Sequence, residues 1–500
     1  MNRTVKSRLF VALALVAVLA LGAVVVAMFA SRKNTDSPTP GQETVILTDG
    51  NTIALSEQAV IDKLKGGWVG QMAGVTWGAP TEFRSMGAIM PDSSVPTWRP
   101  RTINAGFDQD DIYVEIPFLD AMREHGVNCS WETFGDYFRD TEFQLWHANL
   151  EARDNLKRGI PSPDSGHYAN SLHADDIDWQ IESDFVGQMC PGQVNAAIEM
   201  AWRAGHVMNY GDGVYGGVFV AAMHAQAFAA SSVGEIIEAG RQSVPEGSEY
   251  RQVIEDVLAW EAQGNTWEQT WQLLQDKWGE DDRCPDGAGN RFNIDAKLNG
   301  AYILLGLLYG EGDFEESMRI SMRAGQDSDC NPSSVGGILG NYMGFSNIPD
   351  EWKSALDFTG RQFSYTDYSF DDAINVNLEL AREALLMNGG WISGTTWHIP
   401  NQASIQPPIL EQWPDDPNDP PTLDASAKAP RGRTVEFSAS ASDDDGIKAY
   451  QWYFGDLSYA DGPNVSHTYR QDGTFDALCY VTDNTGNTAW QVVRVTVGSE

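Results

Sequence analysis

The spacing of apolar residues divides the chain into a helical part and a strand-forming part. From about residue 52 to residue 392, apolar residues recur every three to four positions, the period of a helix with one buried face. This pattern is found at residues 114–122, 193–204, 217–229, 232–241, 251–263, 267–278, 294–309, 314–322 and 373–387. Strand-like alternation is scarce over the same span. We therefore predict one large helical domain at residues 52–392.

The first helix of this domain is rich in small residues. Ser56 is suited to cap its N-terminus, and the run Gly-Gly-Trp-Val-Gly-Gln-Met-Ala-Gly at residues 66–74 favours close contact with another helix. The residue before a proline disfavours helical backbone, so the helix should stop before Pro80. This places Glu82 in a loop.

Beyond residue 392 the composition changes, and then the period changes. Prolines and aspartates at residues 407–408 and 415–421 predict an extended linker over residues 393–421. Apolar and polar residues then alternate at 434–438, 449–454, 474–481 and 490–497, with glycine-containing turns between these segments. We predict a small antiparallel β-sandwich at residues 422–500.

The N-terminus has the pattern of a membrane-directed segment. An uncharged apolar run at residues 9–30 follows three basic residues and is long enough to cross a bilayer as a helix. Residues 28–30 (Met-Phe-Ala) are a poor cleavage site, which favours an uncleaved anchor over a removed signal. We expect an anchor or signal segment at 1–33 and a tether at 34–51. The protein would then be membrane-anchored with extracytoplasmic domains, or secreted.

The charge of the chain limits its possible binding partners, and its cysteine content limits the kinds of metal site it can form. With 33 basic against 70 acidic residues, the formal charge is −37, which excludes nucleic acid and anionic membrane surfaces as main partners. The five cysteines include no CxxC pair, which argues against a structural zinc site.

Two carboxylate pairs lie far apart in the sequence. Asp110 and Asp111 begin a predicted helix, and Asp327 and Asp329 precede a run of small residues. Aspartates at such positions are typical of helix capping, but adjacent carboxylates also repel one another unless a cation lies between them. With Glu82 they form an oxygen-rich set suited to Mg²⁺, Mn²⁺ or Ca²⁺, and two pairs are enough for a two-metal site.

Three separated motifs resemble the ADP-ribosylglycohydrolase family over roughly residues 58–345. They are Gly-Gln-Met-Ala-Gly at 70–74 with Gly-Ala-Pro-Thr-Glu at 78–82, Gln-Asp-Asp at 109–111, and Gly-Gln-Asp-Ser-Asp-Cys-Asn at 325–331. The resemblance implies an all-α catalytic domain that usually holds two Mg²⁺ ions and releases ADP-ribose from modified proteins.

The C-terminal part resembles a PKD domain, an Ig-like all-β sandwich, over about residues 422–497. The matching residues are Trp-Tyr-Phe-Gly-Asp at 452–456, His-Thr-Tyr at 467–469 and the turn at 481–486. The resemblance implies an extracellular spacer or a module that contacts glycans or surface proteins. We expect its aromatic residues to form the sandwich core rather than a binding face.

Carried over residue by residue, the first resemblance implies roles for the site residues. Metal ligands would be Gln109, Asp110, Asp111, Asp327, Asp329 and Cys330, and Glu82 and Asp111 would be catalytic. Gln109 and Cys330 stand where the family usually has threonine, and a thiol is a poor magnesium ligand. Candidate substrate-binding residues are Asp178, Trp179, Glu182, His206 and Tyr215.

One departure from the family bears on the substrate. The family's glycine-containing segment on the nucleotide side is replaced by the acidic residues 175–182, which would repel a pyrophosphate. We therefore predict an exported, metal-dependent glycoside hydrolase that cleaves an N- or O-glycosidic bond of a neutral or cationic sugar, such as a furanoside. Two alternatives stay open: a true ADP-ribosylglycohydrolase, and a non-catalytic glycan-binding surface protein.

Overall fold

The computed structural model describes residues 46–47, 51–280, 291–413 and 420–498. The predicted anchor at 1–33, nearly all of the tether and Cys284 lie outside the described residues. Within these ranges, no helix combines the length and the apolar character that a membrane span needs.

The helical domain is confirmed. Its helices are α1 (Glu57–Gly78), α2 (Asp110–Tyr113), α3 (Ile116–His125), α4 (Trp131–Arg139), α5 (His147–Lys157), α6 (Asp178–Glu182), α7 (Asp184–Gln188), α8 (Val194–Gly205), α9 (Asp212–Ala227), α10 (Val233–Ser243), α11 (Glu249–Ala262), α12 (Trp267–Trp278), α13 (Ala296–Tyr309), α14 (Phe314–Arg323), α15 (Cys330–Met343), α16 (Asp350–Lys353) and α17 (Phe370–Met387). Short 3₁₀ helices lie at Ala79–Thr81, Asp92–Ser94, Pro100–Asp108 and Phe345–Asn347. Ser56 caps α1 as predicted, because its side chain accepts a hydrogen bond from the backbone N–H of Ala59 at 3.0 Å.

A small antiparallel sheet, which the apolar pattern did not predict, joins the two ends of the helical domain. Its strands are β1 (Ile46–Leu47), β2 (Thr52–Ser56), β3 (Trp391–Ser393) and β4 (Thr396–Pro400), in the order β1-β2-β4-β3. The predicted linker is therefore wrong in its first part, since residues 396–400 pair with β2. Strands of two to five residues are too short to give a clear period.

Helices α1 and α15 cross at glycine-to-glycine contacts. A Cβ atom built on Gly70 would lie 1.9 Å from the carbonyl oxygen of Gly336, and one on Gly66 would lie 2.2 Å from that of Gly340. Only glycine allows the two backbones to come this close. The contact places the start of α15 beside the end of α1, as the run of small residues predicted.

The C-terminal domain is the predicted sandwich. Its strands are β5 (Thr422–Ala427), β6 (Thr434–Ser442), β7 (Ile447–Tyr453), β8 (Tyr459–Asp461), β9 (Asn464–Thr468), β10 (Gly473–Asp483) and β11 (Thr488–Val497). One sheet has the order β11-β10-β7-β8 and the other β5-β6-β9, with antiparallel pairing throughout. Trp452, Phe454 and Tyr469 are buried in the core between the sheets, as expected.

The sandwich is docked on the helical domain through aromatic residues. The ring of Trp202 on α8 stacks on Tyr453 with centroids 4.0 Å apart, and Trp131 meets Trp490 at 5.3 Å. Glu411, only 2% exposed, lies in this junction and accepts hydrogen bonds from the indole N–H of Trp202 and the backbone N–H of Gly211. The part of the predicted linker that reaches Glu411 is thus packed between the domains rather than extended in solvent.

Candidate active site

Three segments bring their carboxylates together at the end of the α1–α15 contact. Glu82 follows α1, Asp110 and Asp111 begin α2, and Asp327 and Asp329 precede α15. The first and third segments are joined directly: the hydroxyls of Thr81 and Ser328 are 2.8 Å apart, and the backbone N–H of Phe83 donates to the carbonyl of Gln326 at 3.0 Å. The acids that are separated in sequence therefore form one cluster.

The backbone beside two of these acids is strained. Phe83, next to Glu82, has φ of +50°, and Gln326, next to Asp327, has φ of +52°. Such a conformation costs a non-glycine residue of order 1–3 kcal/mol and persists only where the surroundings enforce it. The side chain of Gln326 supplies part of this restraint, since it donates to the carbonyl of Arg291 at 2.8 Å and accepts from the N–H of Asn293 at 3.1 Å.

The cluster concentrates negative charge away from water. Asp111, Asp327 and Asp329 are 1%, 3% and 5% exposed. Burial and the neighbouring Asp110 raise the pKa of Asp111 well above its ordinary value, and burial and Asp329 do the same to the pKa of Asp327. Burial raises the pKa of Asp329 to about 6. The charges that act most strongly on these carboxyls are thus other carboxylates, which a cation would relieve.

Glu82 is the most exposed of the five acids, since Asp110 is half-buried and the other three aspartates are buried. Partial burial, Asp329 and Asp110 together raise its pKa to about 7. A carboxyl in this position can reach both the cluster and an incoming ligand.

The donor set fits a hard divalent cation. Among the described residues, Oδ1 of Asp111 and Oδ1 of Asp327 are buried and have no hydrogen-bond partner. A bound cation would give these unpaired oxygens a partner, and carboxylate oxygens are the ligands that Mg²⁺ prefers. The half-buried Gln109 precedes α2, and its side chain makes no capping hydrogen bond to that helix.

Cys330 fits the metal site less well than its position in the motif implies. Its sulfur lies close to carboxylate oxygens of Asp327 and Asp329, and Sγ donates to Oδ1 of Asp329 at 3.9 Å. Burial and the carboxylates around it raise the pKa of the thiol well above its usual range, so the thiol stays protonated. A neutral thiol is a poor ligand for a hard cation. Asp327, Asp329 and Cys330 nevertheless lie close enough to share one ion, so the ligand role of Cys330 stays a prediction.

A buried polar layer behind the cluster includes Glu115 and His224, which the sequence did not single out. Glu115 is fully buried, and its Oε1 accepts from the side chain of Gln71 at 2.6 Å. Further back, Nε2 of His224 lies 2.5 Å from Oδ1 of Asp184. The one signal that pointed here was Gln71, which interrupts an otherwise small and apolar helix face.

A sequence model of the family described as ADP-ribosylglycohydrolase matches residues 56–385, which is more than half of the chain. The chain belongs to the ADP-ribosylglycohydrolase family. A PKD domain model matches residues 418–497. Both matches agree with the extents that the motifs predicted, and the family is one of hydrolases that typically depend on divalent metals.

Three solved structures are similar to parts of this ADP-ribosylglycohydrolase-family chain. One is an "ADP-ribosylglycohydrolase-related protein complex", 18% identical, which covers 65% of this chain and 99% of that chain with a TM-score of 0.45. The PKD1 domain of the Vibrio cholerae metalloprotease PrtV is 25% identical and covers 16% of this chain and 99% of its own, with a TM-score of 0.15. The PKD1 domain of Vibrio anguillarum Epp is 25% identical and covers 17% and 99%, with a TM-score of 0.16.

Two of the predicted substrate-binding residues lie beside the cluster in this family member. Burial and Asp178 raise the pKa of Glu182 well above its ordinary value, with Asp110 and Asp111 adding to the effect, and the side chain of Asn149 donates to Oε1 of Glu182. Asp178 accepts from the backbone N–H of Asn149 at 3.0 Å and so holds the start of α5. Asp178 therefore positions the residue that contacts Glu182.

The structure places the other three predicted substrate-binding residues out of contact with solvent, in the core or at the domain junction. Trp179 is fully buried under Gly205 and Gly217, where a Cβ on Gly217 would lie 2.2 Å from its ring. Nε2 of His206 lies 3.0 Å from Oε1 of Glu411, and the hydroxyl of Tyr215 donates to the carbonyl of Ile409 at 2.8 Å. Trp179 is core, whereas His206 and Tyr215 hold the domain junction.

Proposed function

We propose that this protein is a divalent-metal-dependent glycoside hydrolase that acts on a neutral or cationic glycoside, and that the bond cleaved is the N- or O-glycosidic bond of a furanoside. The observation that carries the proposal is the meeting of Glu82, Asp110, Asp111, Asp327 and Asp329, from three segments of the sequence, in one cluster. Structural stability alone does not explain such a cluster, because buried carboxylates without cations are costly.

Each carboxylate has a proposed role. Asp110, Asp111, Asp327 and Asp329 would hold one or two Mg²⁺ ions, with Mn²⁺ or Ca²⁺ as other oxygen-preferring occupants. Such ions, when bound, supply positive charge that orients sugar hydroxyls and lowers the pKa of water. Glu82, the most exposed of the five acids, would transfer the proton as the glycosidic bond breaks through an oxocarbenium-like state. Asp111, deeper in the cluster, would orient the attacking water.

The charge around the cluster supports a neutral or cationic sugar over ADP-ribose. Asp178 and Glu182 are buried and place two further acidic side chains next to the proposed metal ligands. A pyrophosphate entering here would approach several carboxylates, and repulsion between like charges is strong where water is excluded. The family match favours ADP-ribosyl substrates as the second candidate.

We also propose an extracytoplasmic location. The apolar run at residues 9–30 and the basic residues before it support export with membrane anchoring through this N-terminal segment. The PKD domain would then face a surface where glycans and proteins are available for contact.

Calorimetric titration with Mg²⁺, Mn²⁺ and Ca²⁺ tests the metal site. We expect wild type to bind at least one of these ions and Asp327→Asn to lose most of that affinity. Asp443→Asn is the matched control, because Asp443 belongs to an acidic group in the PKD domain, away from the cluster. Absence of metal binding in wild type would remove the proposed mechanism.

The substrate is tested with a panel of aryl furanosides, aryl pyranosides and ADP-ribosylated peptides. We expect release from a furanoside that depends on metal and on Glu82. Release of ADP-ribose at ordinary enzyme rates would replace the proposed substrate by the family's own. Sugar binding without turnover would identify a non-catalytic glycan-binding protein.

A further inference from the structure

Tyr365 is an exposed tyrosine at a backbone position that favours glycine. Its side chain is 70% exposed and its φ is +63°. The backbone N–H of Thr366 donates to the carbonyl of Phe363 at 3.2 Å, so Tyr365 is the third residue of a turn, where positive φ defines type II and selects glycine or asparagine. Backbone preference does not explain a tyrosine here, and most of the surface of its side chain is left open to solvent. Strained residues with this exposure are typical of ligand contacts.

The turn is attached to the segment that carries the carboxylates. The backbone N–H of Ser364 donates to the carbonyl of Phe107 at 2.7 Å, and its hydroxyl donates to Oδ1 of Asp108 at 2.8 Å. Arg361 also donates to Asp108, at 2.7 Å. Because Asp108 lies two residues before Asp110, the position of Tyr365 is coupled to that of the cluster.

On its inner side, Tyr365 reaches the cluster through another aromatic ring. Its ring is 5.1 Å from that of Tyr113, and Phe143 lies 5.1 Å from Tyr113 and 5.9 Å from Tyr365. Tyr113 ends α2, the four-residue helix that begins with Asp110 and Asp111, so its ring joins Tyr365 to the helix that carries two of the carboxylates. A ligand at the cluster therefore lies close to the exposed ring of Tyr365.

On its outer side, Tyr365 borders a groove of about 560 Å³ along α3 and α17. The groove is lined by charged and hydroxyl groups of Asp120, Arg123, Asp367, Tyr368 and Asp372. One aromatic face surrounded by carboxylates and a guanidinium is suited to a sugar, whose C–H face lies on the ring while its hydroxyls bond to the charged groups. An apolar ligand would instead desolvate these charges without compensation.

We propose that Tyr365 and this groove form a leaving-group subsite that receives a second sugar ring. The substrate is then a glycan of two or more units, with the reacting sugar at the carboxylate cluster and the next ring on Tyr365. This inference rests on the proposed function and adds the class of leaving group.

The test compares wild type with Tyr365→Phe, Tyr365→Ala and Tyr365→Gly in Mg²⁺. The probes are furanosyl disaccharides of arabinose, galactose, ribose and fructose, each paired with its methyl furanoside. We expect at least one disaccharide to have a kcat/KM about tenfold above its methyl furanoside in wild type. Tyr365→Phe should keep this preference, and Tyr365→Ala should lose it mainly through KM.

The glycine variant separates a ligand contact from a structural role. Glycine adopts positive φ without strain, which offsets the loss of the ring contacts with Tyr113 and Phe143, so Tyr365→Gly should have a Tm close to that of wild type while it loses the preference for the disaccharide. An unchanged preference in Tyr365→Ala overturns the subsite and leaves the proposed function standing. If no furanoside is hydrolysed, the proposed function fails, and calorimetric titration with the disaccharides decides the inference. Tighter binding by wild type than by Tyr365→Ala supports it, and equal or absent binding overturns it.

Discussion

Gly70→Ala tests whether the α1–α15 contact sets the geometry of the carboxylate cluster. The new Cβ would lie 1.9 Å from the carbonyl oxygen of Gly336 and 2.3 Å from its carbonyl carbon. Since these are backbone atoms of the partner helix, no side chain can rotate away. The helices must separate by roughly 1.5 Å to restore ordinary van der Waals contact.

The cost of this separation follows from the packing of buried helices. Insertion of a methyl group into a well-packed core typically costs about 1–3 kcal/mol, and the higher helix propensity of alanine returns up to about 1 kcal/mol. Because the clash is between backbones, we expect a net loss of about 2 kcal/mol in the free energy of unfolding. α15 starts directly after Asp329, so the shift also moves the carboxylates relative to Glu82. A displacement of about 1 Å at reacting groups can lower the rate about 100-fold.

Urea denaturation followed by circular dichroism gives the stability of Gly70→Ala, and calorimetry gives its metal affinity. Gly498→Ala is the control, because a Cβ at Gly498 meets nothing within 4 Å. We expect the control to match wild type in both assays. The reasoning is refuted if the free energy of unfolding of Gly70→Ala lies within about 0.5 kcal/mol of the wild-type value and the variant binds metal equally well.

Two further predictions concern the domain junction and the thiol at the cluster. Trp202→Ala removes the stack on Tyr453 and should lower the free energy of unfolding by about 3–5 kcal/mol, so that the two domains unfold separately in a calorimetric scan. The control Trp391→Ala changes a tryptophan that is 46% exposed and should have little effect. One cooperative transition at the wild-type Tm in Trp202→Ala would contradict this prediction. Cys330→Thr replaces a protonated thiol by a harder oxygen donor and should tighten Mg²⁺ binding. The control Cys479→Thr, in the sandwich core, should leave the Mg²⁺ affinity unchanged. An unaltered affinity in Cys330→Thr would place this side chain outside the metal site.

Local patterns predicted most of the architecture because they depend on neighbours along the chain. The helical period, the cap at Ser56 and the alternation in the sandwich all follow from backbone geometry over a few residues. The glycine run of α1 predicted a close helix contact for the same reason, since the absence of a Cβ is a property of each residue. The small sheet was missed because its strands are short and because β4 pairs with β2 at residues 52–56, far away in sequence.

At the candidate site, local sequence patterns identified some of the functional residues but not their partners. Both aspartate pairs were found because adjacent carboxylates need a cation, and Glu82 and Glu182 were found from the motifs that contain them, whereas Glu115 has the pattern of an ordinary helical acid. His206 and Tyr215 carried polar groups suited to a ligand, but their partners are Glu411 and Ile409 in the domain junction. A polar group can bond to whichever partner the fold brings near, and one sequence does not specify that partner.

By itself the sequence determined the types of secondary structure, the two domains and the chemical kind of the candidate site, because these depend on residue type and short-range spacing. Tertiary structure alone decided which acids meet, that Trp179 is core, and that the PKD domain packs on the helical domain through Trp202 and Tyr453. The physical reason is that contacts between distant residues depend on which buried faces pack together, and many pairings of similar apolar faces are compatible with one local pattern.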